Sequence, residues 1–180
     1  GNLTLNDLAL TNGSMTTDVG GGALYNAGGT VTITNGTFSN NNGSNSQGGG
    51  AIRSTGGVIT ITNTLFSQNE SDNSGGGGAI YTAGGAIIVT DSTFSQNNAD
   101  NTNGGAFSIS SPATVSLTGS TLNGNSANGG GAIALNGGAV TLTNATLSGN
   151  GAQSAGGGGI YNNSGTVTLN NVTVTGNTTS

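Results

Sequence analysis

The sequence has no cysteine and no histidine, one basic residue (Arg53) and one proline (Pro112) among 180 residues. Without cysteine, disulfides and thiolate metal sites are excluded. A single basic side chain cannot neutralise a phosphate backbone, which excludes nucleic-acid binding, and gives no purchase on an anionic membrane surface. No apolar run approaches the ~20 residues that span a bilayer as a helix, so no membrane insertion by this segment is expected. The chain begins at Gly1 with neither Met nor a signal peptide, and is read as a processed product or an excerpt of something longer. Charged residues make up only 4% and hydrophobic residues 31%. So little apolar content would suit a disordered linker, which cannot offset its ordering entropy. Periodicity decides against that.

What is abundant is Gly, at 37 positions, with much of the rest Asn, Thr and Ser. One strand-like core recurs at Leu3–Leu5, Val31–Ile33, Ile59–Ile61, Ile87–Val89, Val115–Leu117, Val140–Leu142 and Val167–Leu169. Leu5, Ile33, Ile61, Val89 and Leu117 stand 28 residues apart, and the next two steps, to Leu142 and Leu169, are 25 and 27. A linker has no reason to keep that register. Each repeat holds three segments. A Gly-rich one ends in an apolar pair, as Gly-Gly-Ala-Leu at 21–24 and Gly-Gly-Ala-Ile at 49–52, 77–80 and 130–133; it is Gly-Gly-Ala-Phe at 104–107 and Gly-Gly-Gly-Ile at 157–160. The alternating core follows. An apolar residue with Asn three places on comes last: Phe38/Asn41, Phe66/Asn69, Phe94/Asn97, Leu122/Asn125, Leu147/Asn150 and Val174/Asn177.

Alternation with period two marks strands with one buried face. Repeats that all run one way cannot close as hairpins, so each must stack on the next ~4.8 Å away in parallel sheets. The chirality of such connections is right-handed. The expected fold is therefore all-β: a right-handed single-stranded parallel β-helix of about six coils of 25–28 residues, three short strands per coil. A single domain over 1–180 is expected, with a partial first coil at 1–19 and repeats at 20–47, 48–75, 76–102, 103–127, 128–155 and 156–180. Asp7, Asn35, Asn63, Asp91, Asn144 and Asn171, with Gly119, share a bend that needs left-handed backbone. Stacked Asn side chains can hydrogen-bond along such a column. Asn42–Gln47, Glu70–Ser74 and Asn98–Asn103 read as loops.

The pairing of Gly-Gly-Ala-[Ile/Leu] with Phe-x-x-Asn resembles the repeat signature of polymorphic outer membrane proteins and related bacterial surface proteins. The two motifs tile residues 20–177, with Leu or Val in place of Phe in the last three coils. The resemblance implies a secreted β-helical passenger displayed outside the cell, often serving in adhesion, with a host or surface glycan as a candidate receptor.

Catalysis has little to work with. Glycoside hydrolysis needs two facing carboxylates, and the acids are Asp7, Asp18, Glu70, Asp72, Asp91 and Asp100. Asp7 and Asp91 stand in for Asn at the bend, and Arg53, sharing an outward column with Tyr25, Tyr81 and Tyr161, reads as a solvated surface residue. No enzyme activity and no cofactor are expected. Glu70, Asp72 and Asp100 could offer oxygens to Ca²⁺ from stacked loops, against the plainer reading of a solvated loop. Thr32/Thr34, Thr60/Thr62, Ser116/Thr118 and Thr141/Thr143 form outward rows resembling the ice-binding surface of β-solenoid antifreeze proteins; Thr is also simply favoured on exposed sheet faces. The expected role is an extracellular structural protein, an adhesin stalk or filament block that stacks end-to-end or continues into a longer chain. Ice binding is the alternative, and a polysaccharide-binding or polysaccharide-degrading β-helix a third.

Overall fold

The structure, a computed structural model, describes residues 1–15, 19–43, 47–71, 75–154 and 156–180, with the side chain of Asp100 left out. It is a β-solenoid of parallel sheets, about six coils high, and the described residues contain no helix. Every strand pairs with its equivalent one coil away. A threonine-rich wall stacks Asn2–Asn6, Thr30–Thr34, Val58–Thr62, Ala86–Thr90 and Thr114–Thr118, then the C-terminal parts of Ile133–Thr143 and Ile160–Asn170. A phenylalanine wall stacks seven short strands, from Ala9–Thr11 through Thr37–Ser39, Leu65–Ser67 and Thr93–Ser95 to Thr173–Thr175. A glycine wall stacks Leu24–Asn26, Ile52–Ser54, Ile80–Thr82 and Phe107–Ser110 onto the N-terminal parts of the two long strands.

Two features depart from expectation. Beyond the three anticipated segments, a fourth ladder runs through the isolated bridges Ser14–Asn42–Glu70–Asn98 and continues as Asn98–Asn103, Ser126–Gly129, Gly151–Ala152 and Thr178–Thr179. Asn98–Asn103, expected to be a loop, is thus a strand, its register slipping between Ala99 and Asn103. The second feature is that the glycine and threonine walls merge in the later coils. Asn26 folds its carboxamide onto the turn after it, accepting from Gly29 N–H at 2.9 Å and donating to Gly56 O at 2.9 Å. Ser54 and Thr82 likewise donate to Gly56 O and Gly84 O. Ile109 and Leu135 replace these polar residues at the same register and are fully buried, and Ile133–Thr143 continues through the corner as one 11-residue strand, turning at Gly137 and Gly138.

The Gly-Gly-Ala motif has a steric cause. At Gly49 (φ +81°) a Cβ would land on the carbonyl oxygen of Ile52, so this position needs both left-handed backbone and no side chain. At Gly50 a Cβ would strike Gly78 O in the next coil, so the second Gly sets how closely coils approach. The Ala that follows (Ala51, Ala79, Ala106, Ala132) is completely buried. Inside the tube, columns of Ile, Leu, Val and Phe form one continuous core, each large aliphatic side chain contributing about 1.5–3 kcal/mol by leaving water.

Candidate functional surface

The chain's polar chemistry is organised in columns. Asn41, Asn69, Asn97, Asn125, Asn150 and Asn177 form an interior ladder beside the phenylalanine wall, with Asn41, Asn69, Asn97 and Asn150 fully buried. Each amide does the same work. Asn97 Nδ2 donates to Asn125 Oδ1 at 2.9 Å and to Phe66 O at 3.1 Å, while its backbone N–H donates to Asn125 Oδ1 at 3.0 Å. Its own Oδ1 accepts from both nitrogens of Asn69. Nothing is left unpaired, which a buried amide requires. The ladder donates toward the C-terminal coil throughout, ending on Asn177 Oδ1 at 2.8 Å.

The bend column donates the other way. Asn35 Nδ2 gives to Asp7 Oδ1 at 2.8 Å, Asn63 to Asn35 Oδ1 at 2.8 Å and Asn171 to Asn144 Oδ1 at 2.6 Å. All sit at φ of 47–53°, and Asp91 at 49°. Asp91 interrupts the run: a carboxylate has no hydrogen to give Asn63, and Gly119 has no side chain to reach Asp91. Its Oδ1 instead fills the space where a Cβ of Gly119 would sit. A groove of ≈ 380 Å³ follows this corner, lined by Asn35, Thr37, Asn63, Leu65, Asp91 and Thr93 among others. Among the described residues, Asp91 is the one acid lining it. A third, hydroxyl ladder lies just inside: Thr64 N–H donates to Ser92 Oγ at 3.1 Å and Ser92 N–H to Ser120 Oγ at 3.2 Å. Short side chains after a bend carried no distinguishing signal in the sequence.

Phe38, Phe66 and Phe94 stack ring on ring, centroids 4.8 and 4.7 Å apart and planes 12° and 4° off parallel. Phe107 closes the stack from the glycine wall at 4.6 Å, tilted by 52°. That partnership crosses the tube and has no trace in the repeat alignment.

Arg53 corrects an expectation. It is not a freely solvated side chain but half-buried, donating from Nη1 to Val19 O at 2.7 Å and from Nη2 to Gln47 Oε1 at 2.6 Å. Its guanidinium lies over Tyr25 at 5.3 Å and Tyr81 at 5.9 Å, one coil to either side, as cation–π contacts require. It ties its own coil to the coils on both sides.

For the Ca²⁺ reading, Asp72 and the Asp100 side chain lie outside the described residues. Glu70 stacks between Asn42 and Asn98, its Oε2 accepting from Asn42 Nδ2 at 3.3 Å. The outward threonines stand in register: Thr32, Thr60 and Thr141 share one column with Ile88, Ser116 and Thr168, while Thr34, Thr62, Thr90, Thr118 and Thr143 make a second. Thr90 extends the row beyond the pairs recognised by sequence. No family model, curated protein or solved structure matches the chain.

Proposed function

We propose that this chain is a non-catalytic structural element displayed outside the cell, a β-solenoid stalk or filament building block. The observation that carries this reading is continuity along one axis. The apolar core, the interior Asn ladder and the fourth ladder run coil upon coil, and they meet open edges at both end coils. There the inward-facing columns finish in exposed apolar residues: Leu3 is 40% exposed, Leu169 46% and Val174 52%. A further coil over either end, from the same chain or from a second copy, would cover them and extend every ladder by one step. Unpaired strand edges favour such growth, and a head-to-tail contact that does not close gives a filament. Both the low charge and the resemblance of the paired motifs to surface-protein repeats support the extracellular setting.

Mechanical pulling along the axis, with electron microscopy of the concentrated protein, tests the proposal. Stepwise release of coils and rods longer than the ~30 Å of six stacked coils are expected. Low-force unfolding in one event, with only single rods at every concentration, would overturn it.

A further inference from the structure

The threonine wall has a regularity that a stalk does not require. Its outward positions form three columns across successive coils, and none of them holds a charge. The column nearest the bend holds five successive threonines, Thr34, Thr62, Thr90, Thr118 and Thr143, between Asn6 and Asn170. The middle one is Thr4, Thr32, Thr60, Ile88, Ser116, Thr141 and Thr168. The third is mixed, with Thr30, Thr114 and Thr166 among Val58, Ala86 and Ala139. No bulge or register shift disturbs the pairing from Asn2–Asn6 to Thr114–Thr118. Hydroxyl and methyl pairs therefore repeat in two directions, ~4.8 Å between coils and about 6.7 Å along each strand.

A regularly spaced array of uncharged side chains, mostly threonines, matches a partner that is itself periodic. A soluble ligand would touch a few of these groups and gain nothing from the rest. The absence of charge disfavours an ionic crystal and suits a neutral, hydrogen-bonding lattice. Each contact of one threonine is weak, but the contacts add at little entropic cost because the array is rigid: Thr is stiff at χ1, and ladders on both sides hold the strands in place. We propose that the threonine wall binds the surface of ice.

Ice crystals grown in a solution of the intact chain provide the test. Faceted crystals whose growth halts below the melting point are expected. The double substitution Thr62→Lys with Thr90→Lys, solvent-facing and compatible with the fold by circular dichroism, should return the crystals to round, growing discs. The same change on the phenylalanine wall, Ser67→Lys with Ser95→Lys, should leave faceting intact. Unshaped crystals with the unaltered chain, equal loss in both double variants, or co-sedimentation with crystalline cellulose in place of any effect on ice would each overturn the proposal. Single rods suffice for this experiment, so its failure is independent of whether the chain stacks end to end.

Discussion

At the scale of single residues, asparagine does two different jobs here that share one chemistry. In the bend it tolerates a left-handed backbone and reaches its neighbour through solvent-facing amides; inside, it bonds four groups of adjacent coils at once. The cost of losing it differs accordingly. Asn97→Leu would take from Phe66 O its side-chain donor, leave the backbone N–H of Asn69 without an acceptor and remove one of the two acceptors of Asn69 Nδ2. Each buried polar group left unsatisfied costs about 1–3 kcal/mol, so a drop of several kcal/mol and a clearly lowered melting temperature by circular dichroism are expected. A melting temperature within a degree or so of the parent, on the scale of ~2–4 °C per kcal/mol for a chain this size, would mean that the interior ladder contributes little. Asp91 presents the opposite case. Asp91→Asn supplies the hydrogen that Asn63 Oδ1 lacks, continuing a run already linked through Asn35 to Asp7. A net gain of about 0.5–1.5 kcal/mol is expected for a hydrogen bond, at the low end because the bend is exposed, and the melting temperature should rise. A fall would show that Asp91 is favoured where it stands.

At the scale of strands and columns, the sequence displayed the architecture more clearly than the surface. Leu5, Ile33, Ile61, Val89 and Leu117 were alignable because each lies on a five-residue strand whose apolar and polar residues alternate, save at Val58 and Ile88, and all five share one column. The fourth ladder was not legible, since Ser14, Asn42 and Glu70 contribute single bridges with no alternation to read. Arg53 was misjudged because its partners, Val19 and Gln47, lie in segments that repeat poorly. The threonine rows were visible as a pattern, but Thr90 escaped because Ile88, two residues before it, broke the Thr-x-Thr spacing. The phenylalanine column makes a sharper prediction. Phe66 stacks on Phe38 and Phe94 with no solvent contact, so Phe66→Ala opens a cavity that both neighbours line, at about 3–5 kcal/mol. Phe66→Leu should cost much less, because Leu122 and Leu147 fill the same column in later coils, fully buried. Equal destabilisation by the two, measured by urea unfolding, would show that ring stacking rather than volume holds the column.

At the scale of the whole molecule, each coil meets only the coils beside it, so stability is close to a sum of coil terms and interface terms along one axis. The central coils have an interface on both sides, as Ile59, Ile61 and Phe66 show by complete burial. The end coils have one, and every residue of Thr173–Thr175 is exposed, as are four of five in Asn2–Asn6. Opening should therefore begin at the ends and move inward rather than occur at once. Native-state hydrogen exchange reads this directly, because local opening free energies span from near zero at frayed ends to the global value in the core. The slowest amides are expected at Ile59, Ile61 and Phe66 and the fastest in Asn2–Asn6 and Thr173–Thr175, with low denaturant shifting the boundary coil by coil toward the centre. Uniform exchange along the threonine wall would instead make the solenoid one cooperative unit, its ladders coupling distant coils as tightly as adjacent ones.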